Sequence, residues 1–306
     1  MTLQPLSAAR HRLDHAYLLL TLTTLMWGGN AVASKLAVGH ISPMVLTSAR
    51  WILVCLILLP LYGKALRDHW RTISAHRVRA VLMGTFGFTG FNALFYLAGH
   101  HTSAVNISIM QGSIPILVLI GALVFFGVRA TWLQIVGVVV TLGGVAMTAT
   151  HGDITTITQL SFNIGDVWML IACAFYTGYT LALRGRPDVP GLVFFLALAI
   201  VACLTSLPLL AWEIAAGDAF WPTLQGYLVL AFVAVFPSLL SQITFMRGVE
   251  LIGPSRAGVF VNLVPVFGAL LAVVVLGEPF GWHHAVAMAM VLGGIFIAER
   301  LGRTVG

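Results

Sequence analysis

The sequence predicts an all-α integral membrane protein of ten transmembrane helices, arranged as two inverted five-helix repeats. Three observations point there: a shortage of charge, ten apolar runs of spanning length, and a self-alignment at a fixed offset. Of 306 residues, 59% are hydrophobic and 8% charged. A water-soluble domain carries roughly 25% charged residues, so lipid is the main solvent here, and a soluble enzyme of this length would lack its polar surface. The formal charge of +6 brings no basic cluster interleaved with aromatics, which excludes nucleic acid as a partner.

A helix needs about 20 apolar residues to cross the hydrocarbon. Runs of that kind lie near 16–38, 43–62, 78–99, 103–126 and 131–149, then near 163–184, 190–211, 224–247, 254–276 and 282–299. The first has full spanning length and is not followed by a small-residue cleavage signal, so it reads as a retained helix. The longest connections, about 63–77 and 150–162, are too short for a soluble domain. Cys55, Cys173 and Cys203 each sit inside an apolar run, scattered beyond any metal or disulfide pattern, and read as packing residues.

Lys and Arg in short loops set orientation. Arg10 and Arg12 precede the first run; Lys64, Arg67, Arg71, Arg77 and Arg79 follow the second. Then come Arg129, Arg184, Arg186, Arg247, Arg256, Arg300 and Arg303. With ten spans, all fourteen fall on one side, and the opposite loops hold none. A missed or invented helix would scramble that partition. Both termini are therefore expected on the cytoplasmic side of a cell inner (plasma) membrane.

Shifting the chain by 150 residues aligns Phe95–Met147 with Phe245–Ile297 without gaps, with about ten of 53 positions identical. The matches are residues with special backbone roles: Pro115 with Pro265, Gly127 with Gly277, and Gly143-Gly144 with Gly293-Gly294, together with Trp132 on Trp282. Leu59-Pro60-Leu61 resembles Leu207-Pro208-Leu209 more loosely. Five spans is an odd number, so the second half must enter the membrane from the opposite face. Such inverted repeats are a recurrent transporter device, because two similar halves can exchange conformations and alternate which side is open.

Trp27-Gly28 with Asn30 and Lys35, Arg50, Pro115, and the Gly277-Glu278-Pro279 turn followed by Trp282 and Gly293-Gly294 give the chain its resemblance. It is similar to the drug/metabolite transporter superfamily, EamA type, over about residues 16–299. The resemblance implies a cytoplasmic tail at 1–15, EamA-like repeats at 16–150 and 163–299, and a cytoplasmic tail at 300–306. Within the superfamily the chain resembles YddG-type exporters, which implies export of aromatic and other neutral amino acids. It departs from the family where the first half reads Gly127-Val128 and lacks the Glu of the second half. Any gating duty of that residue then falls to Glu278 alone.

Polar side chains in hydrocarbon are costly and tend to face a bundle interior or a wet cavity. Trp27, Asn30, Asn92, Tyr96, Gln111, Tyr176, Tyr179, Ser241, Gln242 and Asn262 are the candidates for such a cavity, with Arg50 the sharpest. Amides and aromatic rings suit a zwitterion or amphipathic metabolite better than a bare ion. Interhelical bonding and groove filling by the same residues stay open as the plainer account. Arg50 and Lys35 fit either attraction of a substrate carboxylate or a hold on helix-terminal carbonyls, and Lys35 also fits snorkelling. Pro115 and Pro265 interrupt their helix ladders at matching places and, with Gly84, Gly87 and Gly90, are candidate bending elements.

No acidic residue falls at mid-membrane, and no phosphate-binding loop or cofactor motif occurs, which points to passive uniport without a cofactor. His40, His100, His101, His151, His283 and His284 fall on the outer side as solvated interfacial residues; adjacent pairs lack helical ligand spacing, so no metal is expected. The reading is thus a carrier for an amino acid or related metabolite, working in the bilayer as a monomer or homodimer. Two alternatives stay open, efflux of lipophilic cations and an intramembrane enzyme. The lack of a central carboxylate weighs against the first, and the lack of a catalytic constellation against the second.

Overall fold

The computed structural model describes residues 6–127, 131–153 and 163–301. Val128, Arg129 and Arg303 lie outside the described residues, as do the side chains of Arg10, Arg12 and Arg300. Among the described residues, ten helices are long and apolar enough to cross a membrane. In chain order they are α1 His15–Ala37, α2 Pro43–Asp68, α3 Arg77–His101, α4 Ala104–Phe126 and α5 Trp132–Ala149. The second five are α6 Ile164–Gly185, α7 Gly191–Ala216, α8 Leu224–Ile252, α9 Arg256–Leu276 and α10 Trp282–Glu299. The helix that becomes α1 already starts at Leu6, inside the segment expected as a tail. A short helix, Trp70–Ala75, links α2 to α3.

The helix ends obey local chemistry. Gly127 and Gly277 close α4 and α9 in the left-handed region, at φ 63° and 67°, where a Cβ would be strained. Thr131 caps α5 with a reciprocal Gln134 contact, the capping box that a Thr-x-x-Gln sequence encodes. Trp70, Trp132, Trp212, Trp221 and Trp282 are exposed at or near helix ends, the level at which indoles favour the membrane–water interface. Leu61, Val124 and Phe125 face outward as lipid-facing residues do.

Helix neighbours repeat under exchange of the two halves. The pair α1 and α8 corresponds to α6 and α3, the pair α1 and α9 corresponds to α6 and α4, and α2–α7, α4–α9 and α5–α10 pair across the relation itself. Departures from regularity repeat too. The stretch Met83–Gly90 of α3 is π-helical, and so is Ala234–Leu240 of α8. The ladder of α4 breaks at Gly112-Ser113, with Pro115 opening the next turn. That of α9 breaks at Asn262-Leu263, with Pro265 in the same place. The proline interruption expected from sequence is present, while the π-helical turns were not foreseen.

Candidate functional site

Where these four irregular segments meet, they enclose a central cavity of about 90 Å³. Its walls come from α1, α2, α3, α4, α6, α7, α8 and α9. Eight of the expected residues line it: Trp27, Asn30, Arg50, Asn92, Gln111, Tyr176, Gln242 and Asn262.

Arg50 organises one wall. It is 5% exposed, and its Nε donates to Ser238 Oγ at 2.6 Å. Its Nη1 donates to Tyr96 Oη at 2.6 Å and to Asn92 Oδ1. Two of these three holds are tied to the π-helical turns: Ser238 lies within the α8 turn and donates to Val233 O, and Asn92, just past the α3 turn, donates to Phe88 O. Tyr96 Oη in turn reaches Asn30 Oδ1 at 3.3 Å. Every one of these partners is neutral. A guanidinium out of water with no carboxylate beside it keeps most of its electrostatic demand, which an incoming anion can meet.

The cavity also holds unspent polar atoms. Trp51 Nε1, Gln111 Oε1 and Asn262 Oδ1 are buried and without a hydrogen-bond partner among the described residues, although such groups are normally paired. All three residues line the cavity. Between the polar groups stand Phe88, Phe91, Phe195 and Tyr176, with Phe88 stacked on Trp51 at 4.8 Å. The site can therefore offer one cation, acceptors for an N–H group and flat apolar walls.

Three expected cavity residues do not line it. Tyr96 stands behind Arg50 as its support. Ser241 is fully buried and turned onto its own helix, donating to Pro237 O at 2.7 Å. Tyr179 lines a separate open cleft between α3 and α6, about 1080 Å³ in volume and edged by Arg77 and Arg79. Tyr179 and Tyr176 touch at 5.3 Å, so this ring pair stands between cleft and cavity. Gly84 and Gly87 permit the packing here: a Cβ on Gly87 would collide with Tyr179, and one on Gly84 with Val201.

The arginine-poor ends are tied by charge to helix termini. Lys35 does not snorkel; its Nζ donates to Gly99 O at 2.8 Å and Thr102 O at 3.1 Å, at the carbonyl end of α3. Glu278 accepts the Ala104 and Val105 amides at 2.9 and 3.0 Å, at the start of α4. Glu213, which sequence reasoning passed over, does the same for α2, taking Ser42 Oγ, Met44 N and Val45 N. Each charge sits at the helix end whose partial charge it complements.

A model of the EamA-like transporter family matches residues 15–150 and again residues 163–299. This chain belongs to the EamA-like transporter family. It is similar to the uncharacterized transporter YyaM of Bacillus subtilis, 28% identical with 92% of this chain and 93% of that one covered. It is also similar to the uncharacterized inner membrane transporter YedA of Escherichia coli (strain K12), 21% identical over 89% of this chain and 87% of that one. A crystal structure shares the fold at a TM-score of 0.64 and 19% identity, covering 94% of this chain and 99% of that one. The EamA chain is a multi-pass membrane transporter, and its relatives carry transporter names rather than enzyme names.

Proposed function

We propose that this transporter exports small metabolites, namely aromatic and other neutral amino acids, across the cell inner membrane by alternating access through the Arg50 cavity. One observation carries the reading: a buried guanidinium that, among the described residues, has no carboxylate partner shares a cavity with unpartnered amide oxygens and aromatic faces. A carboxylate completes Arg50, an ammonium completes Gln111 Oε1 and Asn262 Oδ1, and the rings of Phe88, Phe91 and Tyr176 take the side chain.

The access route follows from the same parts. With both termini cytoplasmic, Glu213, Glu278 and Lys35 hold the outer ends shut while the α3–α6 cleft gapes inward, its arginines favouring an anionic group. Tyr176 and Tyr179 form the inner gate. Pro115 and Pro265, at matching breaks, let the halves exchange shapes. Among the described residues, none lining the cavity is acidic or a histidine, which favours uniport over proton exchange.

The test is purified protein in liposomes, loaded with one amino acid from a panel and assayed for counterflow with and without an imposed pH gradient. Saturable exchange of neutral amino acids, unmoved by the gradient, is expected. Exchange of lipophilic cations alone, or accumulation driven by the gradient, would overturn the substrate or the uniport reading respectively.

A further inference from the structure

We propose a transition-metal site formed by His151, His283 and His284 at the arginine-poor end of the bundle. His151 follows the end of α5, and His283 and His284 lie in the first turn of α10. One ring nitrogen from each lies within 4.8 Å of the other two. The rings of His283 and His284 are 4.0 Å apart, and His151 meets His283 at 5.9 Å.

Two features beyond proximity favour a bound ion. His151 holds a left-handed backbone, φ 51°, alone among non-glycine residues described, and Gly152 follows at φ 78°. The pair folds the end of α5 back onto α10, where Gly152 packs against His283 and Trp282. His284 is 6% exposed and already has the support that metal-ligating histidines carry. Its Nε2 faces Asn106 Oδ1 at 3.2 Å, which places the proton on Nε2; the Nδ1 lone pair accepts the Gly281 amide at 3.1 Å, and an ion takes that lone pair by displacing the amide.

An all-imidazole set selects Zn²⁺, Cu²⁺ or Ni²⁺ over Mg²⁺ and Ca²⁺. Nitrogens around one ion at about 2.1 Å stand roughly 3.4 Å apart, and the exposed His151 ring can swing to close that difference. A fourth position stays open to water. Such an ion ties α5 to α10, one helix from each half, beside the turn that presents Glu278 to α4.

The experiment is calorimetric titration of Zn²⁺ into tag-free protein in detergent micelles, repeated with Co²⁺ followed by its visible absorption. One ion per chain is expected at micromolar affinity or tighter. His151→Ala and His283→Ala should each weaken binding tenfold or more, Asn106→Ala about tenfold, and His101→Ala, outside the cluster, not at all. His151 and His283 are not deeply buried, and thermal unfolding without metal checks that their variants fold. Zn²⁺ binding weaker than about 100 μM on the wild type, or affinity unchanged in the His151→Ala/His283→Ala double variant, overturns the site.

Discussion

Replacing Arg50 by methionine separates the two duties its position allows, transport and structure. The side chain makes three hydrogen bonds, to Ser238, Tyr96 and Asn92. After the change, Ser238 keeps Val233 O and Tyr96 keeps Asn30 Oδ1, so only Asn92 Oδ1 is stranded. Loss of three charge-assisted hydrogen bonds and a stranded buried acceptor, about 1–3 kcal/mol for the acceptor, oppose the several kcal/mol of desolvation penalty that removing a buried charge relieves. These nearly cancel, so thermal unfolding should move by only a few degrees.

Binding has no such compensation. Truncating one partner of a desolvated, hydrogen-bonded charge pair costs about 2–5 kcal/mol, and each ~1.4 kcal/mol is tenfold in affinity. Half-saturation for an amino acid in liposome counterflow should therefore rise by about 30- to 4,000-fold. The corresponding amino-acid amide, which lacks the carboxylate, should be transported no worse by the variant than by the wild type. A folded Arg50→Met protein with half-saturation within about threefold of wild type would refute the carboxylate contact. A large loss of thermal stability would instead make Arg50 chiefly structural.

Glu278→Gln weakens a charged cap on α4 worth about 1–2 kcal/mol, so hydrogen exchange at the Ala104 and Val105 amides should quicken by about 5- to 30-fold; unchanged exchange removes Glu278 from the closure. Pro115→Ala and Pro265→Ala should each slow counterflow with little change in unfolding temperature, since each restores a ladder at a break; unchanged flux in both would remove the hinge role. Gly87→Leu forces a side chain into Tyr179, an overpacking worth about 1–3 kcal/mol, and should lower the unfolding temperature while Gly63→Leu, in open space, should not.

What was legible in the sequence follows from how local each signal is. Ten apolar runs are sums over many residues, so their existence survives boundary errors. Pro115 and Pro265 mark broken ladders because proline itself lacks the amide. Arg50 and Lys35 stand out because a charge in hydrocarbon is rare. The π-helical turns have no such marker; they lie where α3 packs on α6 and α7 and where α8 packs on α1 and α2. Trp51, Phe88 and Phe195 were missed because an aromatic in an apolar run looks alike whether it faces lipid or cavity. Glu213 reads as an ordinary interfacial acid, and only the fold reveals that the start of α2 ends beneath it. His151 was separated from His283 for the same reason.

The cavity couples a symmetric frame to an asymmetric charge. Under the repeat, Asn92 corresponds to Gln242 and Gly112 to Asn262, and all four line the cavity. The two π-helical turns and the two proline breaks also correspond, so either half can in principle take the other's shape. Arg50 has no such counterpart: with Pro60 set on Pro208, it falls on Leu198, which is buried among apolar neighbours. Its holds come from both halves, Asn92 and Tyr96 from the first and Ser238 from the second. Exchange of shapes between the halves must therefore stretch one set of these bonds against the other. A carboxylate on Arg50 can replace a bond lost in that motion. On the proposed reading, substrate then lowers the barrier between states, because its carboxylate satisfies the guanidinium while the protein partners of Arg50 move apart. That is a physical reason for the loaded carrier to switch more readily than the empty one.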